Sequence, residues 1–489
     1  MENQNEIDDN KKYILIKGDI SGIQEFIFNV KSKNAAKTIK AKSFFIKTVS
    51  IISVEYLFNR FGVQEANKGN NTISVSGGNF FITLPSLKDA EIIIDEYSSK
   101  INLSLKDVGL SVIISFVYLN PSDYPLMLKN LNQSGSIRKY KLLKGIPFNK
   151  IFDPFSKRDD YNWIDFSTSL KDAKSFIIEN KGINDELRLS QNTIELLSYK
   201  LKIIKEETND SKFSLKERSD TYFPSDNYGI KSFEDLAGKT GTSSKLGILK
   251  MDVDNLGTIF SSVDCQNNHK KLSEKFRIFF EGEIYKLIQK KYQGLIYTLL
   301  AGGDDCFFVG AWDKTIELAF DINKNFNDYW ENQSIKPTLS AGLVIVHSKF
   351  PVVRFAEMAE NALYKAKVNC ETKNSISLFN TVIKWDDWND IEDIKSKLRV
   401  FVPRNAKSLL MNARKAVLNK NSIEKVELSD FWELAYYLRE IRDKGMGKEL
   451  NEILSQFEKL IDLSINKNDV RYRFFFPIAA RLIELQIRN

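Results

Sequence analysis

Apolar and polar positions along this chain follow two rhythms, and the same succession of rhythms occurs twice. The β-branched run in YILIKGDIS from Tyr13 predicts a strand. A long amphipathic stretch follows, then short apolar runs on either side of Gly77-Gly78, a helical pattern in SLKDAEIIIDEYSSKI and a strand in VGLSVIISFVYL. From Leu246 the order returns: a strand to Val253, the helix LSEKFRIFFEGEIYKLIQKKY, a hairpin through Gly302, the helix DKTIELAFDINKNFNDYW and the strand TLSAGLVIVH. A further helix, VVRFAEMAENALYKAK, and a strand, ISLFNTVIKW, extend the second copy. Both copies read βαββαβ, the order of a ferredoxin-like antiparallel sheet backed by helices. The fold class expected is α+β.

Between the copies lies a stretch rich in Lys, Asn and Ser whose periodicity is weak, with LRLSQNTIELLSYKLKIIKEE as its one clear helical pattern. After Trp388 the pattern is helical, as in SDFWELAYYLREIRDKG and GKELNEILSQFEKLIDLSI, separated by Gly445 and Gly447, and predicts a small helical bundle. The expected domains are therefore 1–120, a first palm with a Gly-Gly-Asn turn; 121–244, a linker domain; 245–388, a second palm; and 389–489, the helical bundle. At roughly 150 residues per domain, the length of 489 residues by itself suggests about three.

Superposing the copies shows where they differ. Asp19 pairs with Asp252, Ser21 with Asp254, Asn79 with Asp304 and Phe80 with Asp305, so only the second copy carries the full set of acids. Phosphoryl transfer from a nucleoside triphosphate needs a divalent cation held by carboxylates, and Mg²⁺ or Mn²⁺ is satisfied by two or three of them plus water and substrate oxygens. Asp252, Asp304 and Asp305 are the candidate metal-binding and catalytic acids, with Gly302 and Gly303 leaving room for a triphosphate beside the backbone. Taken alone, a Gly-Gly-Asp-Asp run is equally a hairpin turn, and its pairing with MDVD at the end of the preceding strand is what points to chemistry. Asp254 has a second reading as the N-cap of the next helix.

Composition narrows the classes. The net charge of +7, from 71 basic and 64 acidic side chains, permits local phosphate-binding patches without a basic surface throughout. Cys265, Cys306 and Cys370 show no CxxC spacing, which argues against a disulfide framework or zinc ribbon. The polar start MENQNEIDDNKK and the lack of any run of about 18 apolar residues lead us to expect a soluble, cytoplasmic protein with no membrane association.

The motifs GDISGIQEFIF, AAKTIKAKSFF, SGGNF, LGILKMDVDNLGTIF, AGGDDCFFVGAWD and AENALYKAK, in this order from about Tyr13 to Trp388, resemble the large polymerase-like subunit of type III CRISPR-Cas effector complexes, closest to the Csm type. The resemblance implies two GGDEF-like palms and an enzyme that polymerises ATP into 3′-5′ cyclic oligoadenylate when its complex captures target RNA. It implies guide RNA, target RNA, small helical subunits and a guide-end-binding subunit as partners. It makes Asp252, Asp304 and Asp305 the metal-binding acids. Asp19 and the Gly77-Gly78 turn belong to the companion palm that seats a second ATP, Ser273 matches a serine near the adenine, and Lys367 closes a motif that reaches the triphosphate. Read from position alone, Ser273 is a helix-start hydroxyl, Lys367 an exposed helical lysine, and the Lys31 to Lys47 run either a pocket lining or a solvated helix face.

The chain departs from that family in two respects. It has only His269 and His347, neither followed by Asp, so an HD nuclease site is not expected; and no cysteine precedes Cys265, so no zinc is expected in the linker. Three other functions fit parts of the pattern: adenylylation of S-adenosylmethionine at the same donor site, a diguanylate cyclase, against which the tandem copy argues, and a non-catalytic RNA-binding scaffold.

Overall fold

The computed structural model describes residues 13–487 apart from 32, 120–122, 142–160, 182–184, 207–212, 216–217, 219–221, 227–228, 239–243, 304, 369, 371–372, 400–450, 453–454, 457, 461 and 464–469. Two compact units are formed, the first from Met1–Ser232, Asn255–Phe307 and Pro351–Ala356, the second from Phe233–Asp254, Phe308–Phe350 and Glu357–Asn489. The architecture is mixed α+β with several sheets.

In the first unit the order is β1 (Tyr13–Ser21), α1 (Ile23–Phe28), α2 (Ala35–Arg60), α3 (Glu65–Asn71), β2 (Thr72–Ser76), β3 (Asn79–Pro85), α4 (Ala90–Leu105), β4 (Ser111–Tyr118) and α5 (Tyr124–Lys141). The strands form one sheet, β2-β3-β1-β4, in which Asp19 faces Asn79 across the β1–β3 pair. Ile14, Leu15 and Ile16 are all fully buried, which marks β1 as a central strand covered on both faces.

Helix α2 is buried along most of its length, several of its polar residues included. This corrects the solvated-face reading of the lysine run at two positions. Lys40 and Lys42 do not face solvent; they are 0% and 1% exposed. Lys40 Nζ donates to the Thr298 carbonyl at 2.5 Å, and Lys42 Nζ to those of Phe26 and Asn29 at 3.2 and 3.3 Å, so backbone oxygens replace water at each buried ammonium.

The middle region holds α6 (Trp163–Lys171) and a five-stranded sheet, β6-β7-β8-β5-β9, built from β5 (Ser175–Asn180), β6 (Arg188–Leu189), β7 (Thr193–Leu196), β8 (Tyr199–Ile204) and β9 (Phe213–Ser214). The helix expected over LRLSQNTIELLSYKLKIIKEE is thus replaced by three strands. In β8 Tyr199, Leu201 and Ile203 are buried while Lys200 and Lys202 are not, a period of two. Leu197 and Ser198, both at positive φ, make the two-residue turn between β7 and β8. A short hairpin, β10 (Ser225–Asp226) and β11 (Gly229–Ile230), follows, then α7 (Phe233–Gly238).

The second repeat supplies β12 (Lys245–Val253), α8 (Leu256–Ser261), α9 (Gln266–Arg277), α10 (Ile284–Lys291), β13 (Ile296–Gly302), β14 (Asp305–Ala311), α11 (Trp312–Trp330), β15 (Leu339–His347), α12 (Val353–Val368), β16 (Ser375–Leu378) and β17 (Thr381–Lys384). Its sheet runs β13-β14-β12-β15-β16-β17, and β14 passes from the first unit into the second. The single strand expected over ISLFNTVIKW is a hairpin instead, because Phe379 and Asn380 at positive φ reverse the chain.

Residues 388–399 are helical, and so are the described parts of 451–463 and α13 (Phe475–Ile487). The segment SDFWELAYYLREIRDKG lies outside the described residues. Among the described residues no helix is long and apolar enough to cross a membrane.

Candidate functional site

Two glycine turns meet inside the first unit. Gly77 and Gly78 adopt φ of 59° and 94°, and Gly303 adopts 72°, conformations that side chains with a Cβ resist. A Cβ on Gly77 would stand 3.3 Å from the Gly302 carbonyl oxygen, and one on Gly303 would stand 3.3 Å from Ser76 Oγ. The turn of the first repeat therefore packs against that of the second, backbone to backbone at Gly77 and Gly302 and through the Ser76 hydroxyl at Gly303.

Beside them opens a cavity of about 260 Å³. Its wall is aromatic in Phe81, Phe260, Phe276 and His269, and polar in Asp19, Asn79, Ser76 and Ser273, with Gly303 at its edge. Few convergent polar groups on an aromatic wall suit a flat heterocycle. A larger groove of about 920 Å³ adjoins it and shares Ser74, Ser76 and Ser273. Ser273 lies well inside α9 and not at its start, so the helix-start reading of its hydroxyl is corrected: the side chain lines both cavities because α9 runs alongside β2. Asp19 is exposed at the cavity's edge; the atoms crowding its carboxyl raise its pKa, against the pull of Lys17 and Lys139.

His269, 3% exposed, is fixed by a 2.9 Å hydrogen bond between Nδ1 and the Tyr124 hydroxyl and packs against Phe81 and Phe260. Burial, helped by Lys17, pushes its pKa down to about 4. Stability from a neutral histidine is complete above its unfolded pKa and is lost as pH falls through the folded value. Between pH 6.5 and 4 the first unit is expected to lose about 3 kcal/mol through this one group. Denaturant unfolding across that range checks it, since His269→Gln should flatten the pH dependence; parallel curves for both proteins would refute the assignment.

The second unit holds Asp252 at the end of β12, its carboxylate ion-paired with Lys367 near the end of α12. Lys367 is therefore not the exposed helical lysine of the position-only reading: burial first, then Lys373 and Lys250, pull its pKa down to about 8. A second bond, Lys250 to Glu360, ties the same helix to β12. Asp254 does not cap α8, whose N-cap is Asn255. Its buried carboxylate accepts from Thr338 Oγ1 and Ser340 Oγ, both at 2.8 Å, and from the Asn374 amide at 3.0 Å. Burial raises its pKa against these bonds, and its task is to lock the β12–β15 end in place.

Asp305 is the first residue of β14 and is half-buried in the first unit; Asp252 belongs to the second; Asp304 lies outside the described residues. Among the described residues no three His, Cys, Asp or Glu side chains are grouped as a metal ion would need. The donors are nonetheless of the right chemistry: Asp252 and Asp305 are incompletely buried, all-oxygen ligands, and the first already attracts a cation.

Two family models match the chain: "Cas10/Cmr2, second palm domain" over residues 245–377 and "Csm1 subunit domain B" over residues 12–143. The curated relative from Thermococcus onnurineus, named CRISPR system single-strand-specific deoxyribonuclease Cas10/Csm1 (subtype III-A), is 25% identical over 81% of this chain and 59% of its own length. The protein of that name from Streptococcus thermophilus is also 25% identical, over 92% of this chain and 64% of its own. The chain thus spans about three fifths of the length of these relatives. Among solved structures, an apo Csm1-Csm4 cassette superposes with a TM-score of 0.74 at 21% identity, covering 98% of this chain and 70% of that one. A Csm1-Csm4 cassette in complex with cA4 gives 0.69 at 21% identity, with the same coverage.

Proposed function

The chain is a Csm-type Cas10 subunit, and from that premise we propose that it is the ATP-using nucleotidyltransferase of a type III CRISPR-Cas complex, making cyclic oligoadenylate when target RNA is bound. The observation that carries the reading is the meeting of the Gly77-Gly78 and Gly302-Gly303 turns beside an aromatic cavity. Because the two turns pack directly on each other, a nucleotide bound beside each of them would lie next to the other, one as donor and one as acceptor. The strand order β2-β3-β1-β4 and its counterpart β13-β14-β12-β15 support two ferredoxin-like palms as the frame.

In this reading the base of one ATP lies in the cavity against Phe81, Phe260 and Phe276, with Ser273 and Asn79 as its polar contacts. Its ribose 3′-OH attacks the α-phosphorus of the second ATP in line, and pyrophosphate leaves. Asp252, Asp304 and Asp305 would hold Mg²⁺ or Mn²⁺, which neutralises charge on the phosphate oxygens. Lys367, released from Asp252, supplies a further positive charge to the triphosphate. Partners are a Csm4-type subunit, small subunits, guide RNA and target RNA. The relatives are named as single-strand-specific deoxyribonucleases, but this sequence has only His269 and His347, neither followed by Asp, so we assign it no HD nuclease site.

The test is the assembled complex with guide and target RNA, labelled ATP and Mg²⁺, read by product mass. Cyclic oligoadenylate is expected, with none in the absence of target RNA. An adenylylated S-adenosylmethionine, a cyclic dinucleotide of guanine, or no product would each overturn the reading. Labelled single-stranded DNA with Mn²⁺ in the same reaction is expected to stay intact.

A further inference from the structure

One carboxylate beside the glycine turns has no part in the proposed reaction. Helix α9 runs into a π-helical turn, Ile278–Glu283, before α10, and Glu281 in that turn is 4% exposed. Such turns give up the regular hydrogen-bond register and are retained mostly where a side chain must be placed for function. A buried carboxylate must be paired, and Glu281 meets three cations. Its Oε1 lies 3.4 Å from Lys47 Nζ and forms an ion pair with Arg218; its Oε2 lies 3.1 Å from Arg277 Nη1.

These cations come from separate places in the first unit: Lys47 from α2, Arg218 from the segment after β9, and Arg277 from the end of α9. Glu281 and Lys47 also line a void of about 20 Å³ together with Gly77, Ala301 and Gly302. That is room for about one water. The charge cluster and the two turns are therefore neighbours across a single small void.

We propose that Glu281 is a positioning residue that holds the two glycine turns in their facing arrangement, and that Arg218 makes this hold depend on the middle region. Three converging cations fix the carboxylate; the carboxylate fixes α9 against α2; and the turn at Gly302, packed on Gly77, inherits the placement. The effect on turnover rests on the nucleotidyltransferase reading, whereas the effect on the turns does not.

The experiment is amide hydrogen exchange on the full chain, with turnover of the assembled complex measured beside it. Glu281→Gln keeps the side chain's size and removes its charge. Amides in peptides covering 76–79 and 300–303 are expected to exchange about tenfold faster, while those of β16 and β17 are unchanged. Arg218→Gln should move the same peptides less, and Glu96→Gln, which breaks the exposed pair with Arg60, should not move them. In the complex, Glu281→Gln should lower kcat about tenfold with KM for ATP within about twofold. Wild-type exchange at both turns in Glu281→Gln overturns the proposal, as does acceleration spread evenly over the whole unit. Should that variant not fold, Arg218→Gln decides on the same criterion. Faster exchange at the turns in a complex whose wild type makes no nucleotide product would leave the positioning role standing and remove the nucleotidyltransferase reading.

Discussion

Replacing Asp304 and Asp305 together with Ala is expected to lower nucleotide synthesis by roughly a thousandfold or more, about 4 kcal/mol of transition-state stabilisation, while leaving the protein folded. The loss follows from the charge argument: these carboxylates would hold the cation that the proposed reaction needs to neutralise the triphosphate, and without them it would not be held. The fold survives because Asp305 is a half-buried first residue of β14 that leaves the apolar residues Cys306 to Val309 behind it untouched. Substitutions away from a core change stability by about 0.5 kcal/mol or less. Asp19→Ala is the comparison, expected to cost roughly tenfold, since in the proposed reading this exposed acid at the edge of the cavity would orient substrate without holding the cation. Product mass and denaturant midpoints together decide it. Full turnover by the double variant would remove the assignment, and equal losses in Asp19→Ala and the double variant with ATP binding intact would remove the division of labour between the two halves.

Most of the strand and helix order was legible because the two repeats announce it through β-branched runs and long amphipathic stretches, as in β1, β12, α11 and α12. The failures have local causes. LRLSQNTIELLSYKLKIIKEE has leucines and isoleucines spaced so that helical and alternating periods both fit, and the deciding feature, a turn at Leu197-Ser198 with positive φ, uses residues that do not advertise it. Phe379-Asn380 reverses the chain in the same unmarked way, with only the Asn as a hint.

For the site, the glycine pairs could be read from the duplication, but their contact could not, because spacing along a chain carries no information about which turns meet in space. Glu281 was hidden for a different reason. In FRIFFEGEIY it looks like the polar side of an amphipathic helix, and only the π turn and the arrival of Lys47 and Arg218 from distant segments reveal a buried charge. The His269–Tyr124 bond spans 145 residues and leaves no local trace.

Gly342→Ala is expected to destabilise the second unit by about 3 kcal/mol, at the upper end of the range for overpacking a well-filled core. Gly342 lies in β15 between Lys250 of β12 and Ser377 of β16, and α12 crosses it so closely that an added Cβ would fall 2.2 Å from the Leu363 amide nitrogen and 2.5 Å from the Ala359 carbonyl oxygen. Those are backbone atoms, so no rotamer change relieves the clash; the helix itself must lift. It is tethered at both ends of the contact, by Lys250 to Glu360 and by Lys367 to Asp252, and lifting strains both ion pairs. The variant should therefore lose turnover even at temperatures where it remains folded, because a lifted α12 carries Lys367 away from the place where, in the proposed reading, it reaches the triphosphate. Gly69→Ala is the control: a Cβ there meets nothing within 4 Å, and in helix α3 it should gain up to about 1 kcal/mol. Denaturant midpoints measured for both variants give the comparison. A Gly342→Ala protein as stable as wild type would mean that α12 does not lie against β15 as described, and with it the placement of Lys367 beside Asp252 would fall.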